Sequence, residues 1–149
     1  MQKQPSVYKI LIIDYTAFTA ALFPVAIWVF YLLLLIMKEA RIDDPTLPVI
    51  AGGITFLSIP VLIWRIRRIS LMFEDGLEVS ATISNVFFFR DRGRVEYTFT
   101  YNGQSYITGN ALHKVKQTSA LKVGDTVTVL FDRNDPRRTC IKDLYQRNQ

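Results

Sequence analysis

The stretch LPVIAGGITFLSIPVLIWRIRRISLMFEDGLEVSATIS, residues 47–84, changes character three times. Leu47 to Trp64 carries no charged residue, and as a helix it reaches about 27 Å, enough for a thin or weakly tilted membrane crossing. Trp64, a ring that favours the membrane–water interface, is followed at once by Arg65, Arg67 and Arg68. Leu62, Ile66, Ile69 and Phe73 keep a three- or four-residue step. The helix is therefore expected to continue as an amphipathic, partly membrane-apposed stub, stopping near Gly76. From Leu77 the period becomes two, with Val79, Ala81 and Ile83 alternating with Glu78, Ser80 and Thr82 in the manner of a half-buried strand. One helix leads out of a membrane directly into a β-domain.

Upstream lies a second apolar run, Ile10 to Met37, interrupted by Asp14 and closed by Lys38-Glu39. About 20 apolar residues cross the hydrocarbon layer, which sets the span at Phe18 to Met37. Asp14 and Tyr15 then fall at headgroup depth, and Tyr8 to Ile13 form an interfacial lead-in. A cleaved signal peptide would place its greasiest part before the small residues Thr19-Ala20-Ala21, whereas here Leu32 to Leu35 follow them. Charge divides the chain the same way: residues 1–64 carry 4 basic and 4 acidic groups, and residues 65–149 carry 14 and 9, so the whole net +5 is C-terminal. A single globular core is ruled out. The lone Cys140 excludes an intramolecular disulfide framework, and the lone His113 excludes a His-rich metal site.

Orientation follows from the flanks. Lys3, Lys9, Arg65, Arg67 and Arg68 lie outside the hairpin, against Lys38 and Arg41 in its short loop beside Glu39, Asp43 and Asp44. The positive-inside rule then puts both termini in the cytoplasm, N-in and C-in, as a multi-pass protein of the cytoplasmic (inner) membrane. Pro24 and Pro60 each free a helix carbonyl and shape their spans. Gly52-Gly53 and Ala17/Ala21 allow close approach, either within the hairpin or to a partner helix. Asp14 is expected at the interface as a structural ion-pair partner for Arg65 or Arg68.

The C-terminal portion reads as about five short antiparallel strands, a small barrel- or sandwich-like all-β domain. After Ile83 the strand runs into Val86-Phe87-Phe88-Phe89, where alternation fails, and Asp91-Arg92-Gly93 supplies a turn. Val95, Tyr97, Phe99 and Tyr101 alternate strictly, and Asn102-Gly103 is a strong hairpin signal. Gln104 to Thr108 returns, Gly109 to Val123 connects with a helical turn around His113 to Ser119, and Thr126 to Phe131 and Thr139 to Lys142 complete the set. Three parts result: residues 1–75 as tail, transmembrane hairpin and stub; residues 76–143 as a cytoplasmic β-domain; residues 144–149 as a tail.

The blocks Gly76-x-x-Val79-x-Ala81-x-Ile83, Tyr97-x-Phe99-x-Tyr101-x-Gly103-x-x-Tyr106, Val123-Gly124-Asp125-x-Val127-x-Val129 and Phe131-Asp132-x-x-Asp135-Pro136 together resemble a widespread bacterial family of unknown function. In that family one or two membrane helices carry a small β-domain, and the resemblance extends over residues 60–143. The last block departs from the usual Tyr-Asp-Pro-x-x-Pro and keeps only the second proline. The resemblance implies fold and membrane attachment and brings no activity, cofactor or catalytic residue.

No nucleophile, base and orienting group are brought together by local pattern, and the glycines form no phosphate loop. A non-enzymatic protein without cofactor or metal is expected. Binding is better supported. Arg90, Arg92 and Arg94 cluster on one hairpin beside Phe87, Phe88 and Phe89, while Arg133, Arg137 and Arg138 cluster on another turn. Consecutive strand residues face opposite sides, so at least one of the three phenylalanine rings, Phe88 by position, should stand outside the domain unless a bulge turns it inward. Trp64, Arg65, Arg67 and Arg68, with Asp14, form the candidate membrane interface. The anionic inner leaflet is the favoured partner of these cations. A protein partner, or a second copy joined through the transmembrane helices, comes next. The resulting reading is an accessory or scaffolding subunit of a membrane complex. Its alternative, a tethered β-barrel that binds nucleic acid or another anionic ligand, is the least favoured.

Single cysteines at Ser6, Asp43 and Gln149 in a Cys140→Ser background test the orientation in intact cells. Only the Asp43 site is expected to react with an impermeant thiol reagent; labelling at Gln149 would overturn the assignment.

Overall fold

The computed structural model describes residues 4–37 and 44–146. Lys3, the loop charges Lys38, Glu39, Arg41 and Asp43, and the last three tail residues lie outside them. Three helices come first: α1 (Val7–Ile13), α2 (Tyr15–Ile36) and α3 (Thr46–Asp75). Both α2 and α3 are long and apolar enough to cross a membrane, and almost none of either apolar stretch is covered by protein. Core helices of a soluble protein are covered; these are not. The two pack side by side through Ala17, Ala20 and Ala51, all buried, with Trp28 Nε1 donating to Thr55 Oγ1 at 3.1 Å.

The remainder is a five-stranded antiparallel sheet of β1 (Leu77–Phe89), β2 (Arg92–Tyr101), β3 (Gln104–His113), β4 (Thr126–Phe131) and β5 (Thr139–Ile141) in the order β3-β2-β1-β4-β5. Two short helices, α4 (Lys116–Ser119) and α5 (Lys142–Tyr145), follow β3 and β5. The expected hairpin and small β-domain are both present, the sheet curling into a half-barrel. Asn102 and Gly103 take the positive φ values of 49° and 77° that a two-residue hairpin demands. The strand from Gln104 runs to His113 rather than Thr108, so the connection after it is shorter than expected. The first hairpin turns at Arg90-Asp91, one step earlier than Asp91-Arg92-Gly93, with Arg90 at φ 53°.

The two edges of the half-barrel, β3 and β5, meet through side chains. Tyr97 Oη lies 2.7 Å from both Asn110 Oδ1 and Thr139 Oγ1. Its single proton satisfies the amide oxygen, and the threonine hydroxyl donates back. Asn110 Nδ2 donates to the Thr139 carbonyl at 2.8 Å, and the Thr108 and Thr139 hydroxyls are 3.0 Å apart. A polar cross-tie of this kind is favourable in the interior because each group in it finds a partner.

The core reaches beyond the sheet, and here the three-part division of the sequence needs correction. Ile10 and Ile13 of α1 and Ile69, Met72 and Phe73 of α3 are buried in one cluster with Ile83, Val95, Tyr97 and Val129. The lead-in and the stub thus each pack one face into the core of the β-domain, while Tyr8 and Leu71 on their other faces stay exposed. Leu144 and Tyr145, read as the start of a tail, are also buried in it. Each carries an apolar face the half-open sheet alone leaves uncovered.

Burial raises the Tyr97 and Tyr145 phenols and pushes the Cys140 thiol up to about 12. All three groups are neutral in the fold, and each folded pKa exceeds its unfolded value. The stability they hold is therefore complete below about pH 8.5 and is lost as pH rises toward the folded values. The unfolding midpoint of the full-length protein in detergent is expected to fall steadily between about pH 9 and 11, and less steeply in Tyr97→Phe. A midpoint flat across that interval would contradict the burial of these groups.

Candidate functional site

Asp14 separates α1 from α2. Its backbone is extended (φ −79°, ψ 116°), and its carboxylate accepts the Ala17 N–H at 2.9 Å, capping α2. The same carboxylate receives Arg65 from α3: Nε lies 2.9 and 3.0 Å from the two oxygens, and Nη2 is 2.6 Å from Oδ2. Asp14 is fully buried, and the Arg65 side chain is 15% exposed. Tyr145 Oη stands 3.5 Å from Oδ2. Asp14 therefore sits inside the protein, paired with Arg65. The Asp14 main chain also bridges to Leu112 of β3.

Further contacts close the same junction. Ser6 N–H donates to the Tyr145 carbonyl at 3.0 Å, and Lys9 Nζ to the Gln146 carbonyl at 2.6 Å. His113 Nδ1 is 3.0 Å from the Ile12 carbonyl, and its ring stacks on Phe18 with centroids 4.1 Å apart. Sequence reasoning missed His113, Leu112 and Tyr145 as junction residues, since their partners lie more than 90 positions away. Asp14, the one acid inside an apolar run, was the usable signal.

Arg65, Arg67 and Arg68 do not act as one basic patch. Arg65 turns inward to Asp14. Arg67 is exposed, and the Arg68 guanidinium lies 5.3 Å over the Trp64 ring. Trp64, Arg67 and Arg68 line a groove of about 890 Å³ between α3 and the loop after β4. On its far wall Arg138 is 3.0 Å from Asp135 and 3.9 Å from Asp132.

The β1–β2 tip corrects the placement of the phenylalanines. The pairing of β1 with β2 shifts register between Ile83 and Asn85, a bulge that inserts one residue and reverses which parity faces inward. Ile83 points in before the bulge; Val86 and Phe88 point in after it. Phe88 is half-buried, its ring lying over Gly93 across the strand pair, where a Cβ would meet it at 2.2 Å. Phe87 and Phe89 are the exposed rings, at 62% and 54%. Arg90 stacks on Phe89 at 5.5 Å, and Arg94 pairs with Glu96 at 2.9 Å. The second basic cluster lies at the other end of β1, where Leu77 pairs with Phe131, about 40 Å away. The two clusters do not merge into one platform.

Cys140 is fully buried, and a thiol shifted so far up is protonated near neutral pH, inert as a nucleophile. Among the described residues no group of three His, Cys, Asp or Glu side chains could hold a metal ion. The arrangement at the junction is mechanical: it locks chain segments together.

Removing one partner of a buried pair strands the other charge. Asp14→Ala or Arg65→Met is expected to cost about 3–5 kcal/mol in unfolding of the full-length protein. The Asp14→Ala/Arg65→Met double variant should lose clearly less than the sum of the two; strict additivity would show that the pair is not energetically coupled.

Comparison with curated proteins and with solved structures gives no match. Residues 79–145, from within β1 to the end of α5, match the model of a family described as a domain of unknown function (DUF3592), so the match covers the β-domain but not α1, α2 or α3.

Proposed function

We propose that this chain is a non-enzymatic, multi-pass protein of the cytoplasmic membrane, N-in and C-in, which presents its β-domain at the cytoplasmic face as an accessory or scaffolding subunit of a membrane complex. The observation that carries this reading is the core shared between the β-domain and its own anchor. Ile69, Met72 and Phe73 continue the helix that ends the hairpin, and the Asp14–Arg65 pair joins α2 to α3 where the Asp14 main chain bridges to Leu112 of the domain. A domain built this way is held at fixed height and orientation, which serves a scaffold and gains nothing for a freely diffusing binder.

The partner is a membrane helix, from another protein or a second copy, seated on Gly52 and Gly53. Apart from α3's own backbone and each glycine's chain neighbours, no atom among the described residues lies within 4 Å of where a Cβ would stand on either glycine. Ala17 and Ala51 serve packing within the hairpin instead. Small residues on an open helix face let a second backbone approach closely.

Gly53→Leu tests this directly. Extracted into native nanodiscs, the wild type is expected to carry a stoichiometric partner or second copy, and the variant to lose it with its own unfolding midpoint unchanged. A wild type that is monomeric and alone in native nanodiscs, or a variant that keeps its partner, would contradict the scaffold reading.

A further inference from the structure

We infer that the β1–β2 tip is a second membrane anchor: Phe87 and Phe89 enter the interface of the bilayer that α2 and α3 span, and Arg90 meets the phosphates of its anionic lipids. The inference rests on the membrane reading proposed above and adds a lipid-contact site to it.

Position is the first support. Phe18, one turn into α2, stacks on His113. His113 pairs with Arg92 across β3 and β2, and Arg92 pairs with Phe89 across β2 and β1. Two strand spacings, about 10 Å, therefore separate the Phe89 backbone from a residue in contact with the first turn of the apolar helix. Arg65, immediately after Trp64, reaches Asp14 at the start of that same turn, so both helices leave the hydrocarbon at this level. The tip is held at the boundary by the junction.

Chemistry is the second. The bulge turns Phe87 and Phe89 out together on one face of β1, more than half exposed, while Phe88 is withdrawn onto Gly93. Two large rings exposed side by side at a hairpin end are costly in water and are satisfied in the interfacial layer. The Arg90 guanidinium stacked on Phe89 keeps its cation at the outer edge of that layer, where an anionic leaflet contributes about fivefold in association per basic group.

The test uses the full-length protein in a Cys140→Ser background, reconstituted in vesicles of phosphatidylcholine and phosphatidylglycerol. Nitroxide labels are placed singly at Phe87, Phe89, Val29 in mid-α2 and Ser105 at the opposite hairpin. Collisions with oxygen over those with a water-soluble nickel chelate are expected to be high at 29, low at 105, and at 87 and 89 on the side of 29. Residues 87 and 89 matching 105 while 29 remains immersed would overturn the anchor and leave the membrane reading standing. Water access at 29 would overturn both. Arg90→Gln is expected to lower the inserted-to-withdrawn ratio at residue 89 roughly fivefold, and an unchanged ratio would overturn the phosphate contact.

Discussion

The carboxylate of Asp14 and the guanidinium of Arg65 hold three parts of the chain at one point: the start of α2, the middle of α3 and the edge of the β-domain. A buried charge is costly unless its partner and hydrogen bonds are supplied in full. Here the Ala17 N–H and two guanidinium nitrogens supply them, and the cost of losing either partner enforces the geometry. Because Asp14 also interrupts the helix, the same residue that accepts Arg65 frees α1 to turn away from α2 and fold onto the domain.

From that constraint follows the shape of the core. A five-stranded half-barrel with unpaired edges leaves apolar surface open at its mouth. Side-chain bonds among Thr108, Asn110 and Thr139 tie the edges together. The rest of the opening is filled by Ile10 and Ile13 from one side and by Ile69, Met72 and Phe73 from another. The sheet, α1 and the end of α3 share one core, which explains how a sheet of this size keeps its apolar face covered at the end of two bare apolar helices.

Much of this was legible in the residues because it is local. The apolar runs, the Arg cluster after Trp64, the change of period at Leu77 and the Asn102-Gly103 turn each announce themselves within a few positions. What stayed hidden is long-range. Nothing near Ile10 or Ile69 distinguishes a membrane-apposed face from one that packs on the sheet. The tail reading of Leu144 and Tyr145 failed for the same reason. The Phe88 error is different, since its cause was in view: Ser84-Asn85 places two polar residues in succession between Ile83 and Val86, which is what an inserted residue looks like in an alternating strand. The candidate site was half visible: Asp14 and Arg65 were singled out as an ion pair, but its enclosure by Leu112 and Tyr145 was not.

The central claim is that the β-domain is rigidly fixed to the apolar hairpin, and an electron–electron distance measurement addresses it most directly. Nitroxides at Val49, near the start of α3, and Ser105, at the β2–β3 hairpin, are both on exposed positions of the full-length protein. With Cys140 replaced by Ser, the account predicts a single narrow distance distribution that broadens on Asp14→Ala. A broad distribution in the protein with Asp14 and Arg65 intact, as for a domain swinging on a tether, would contradict it.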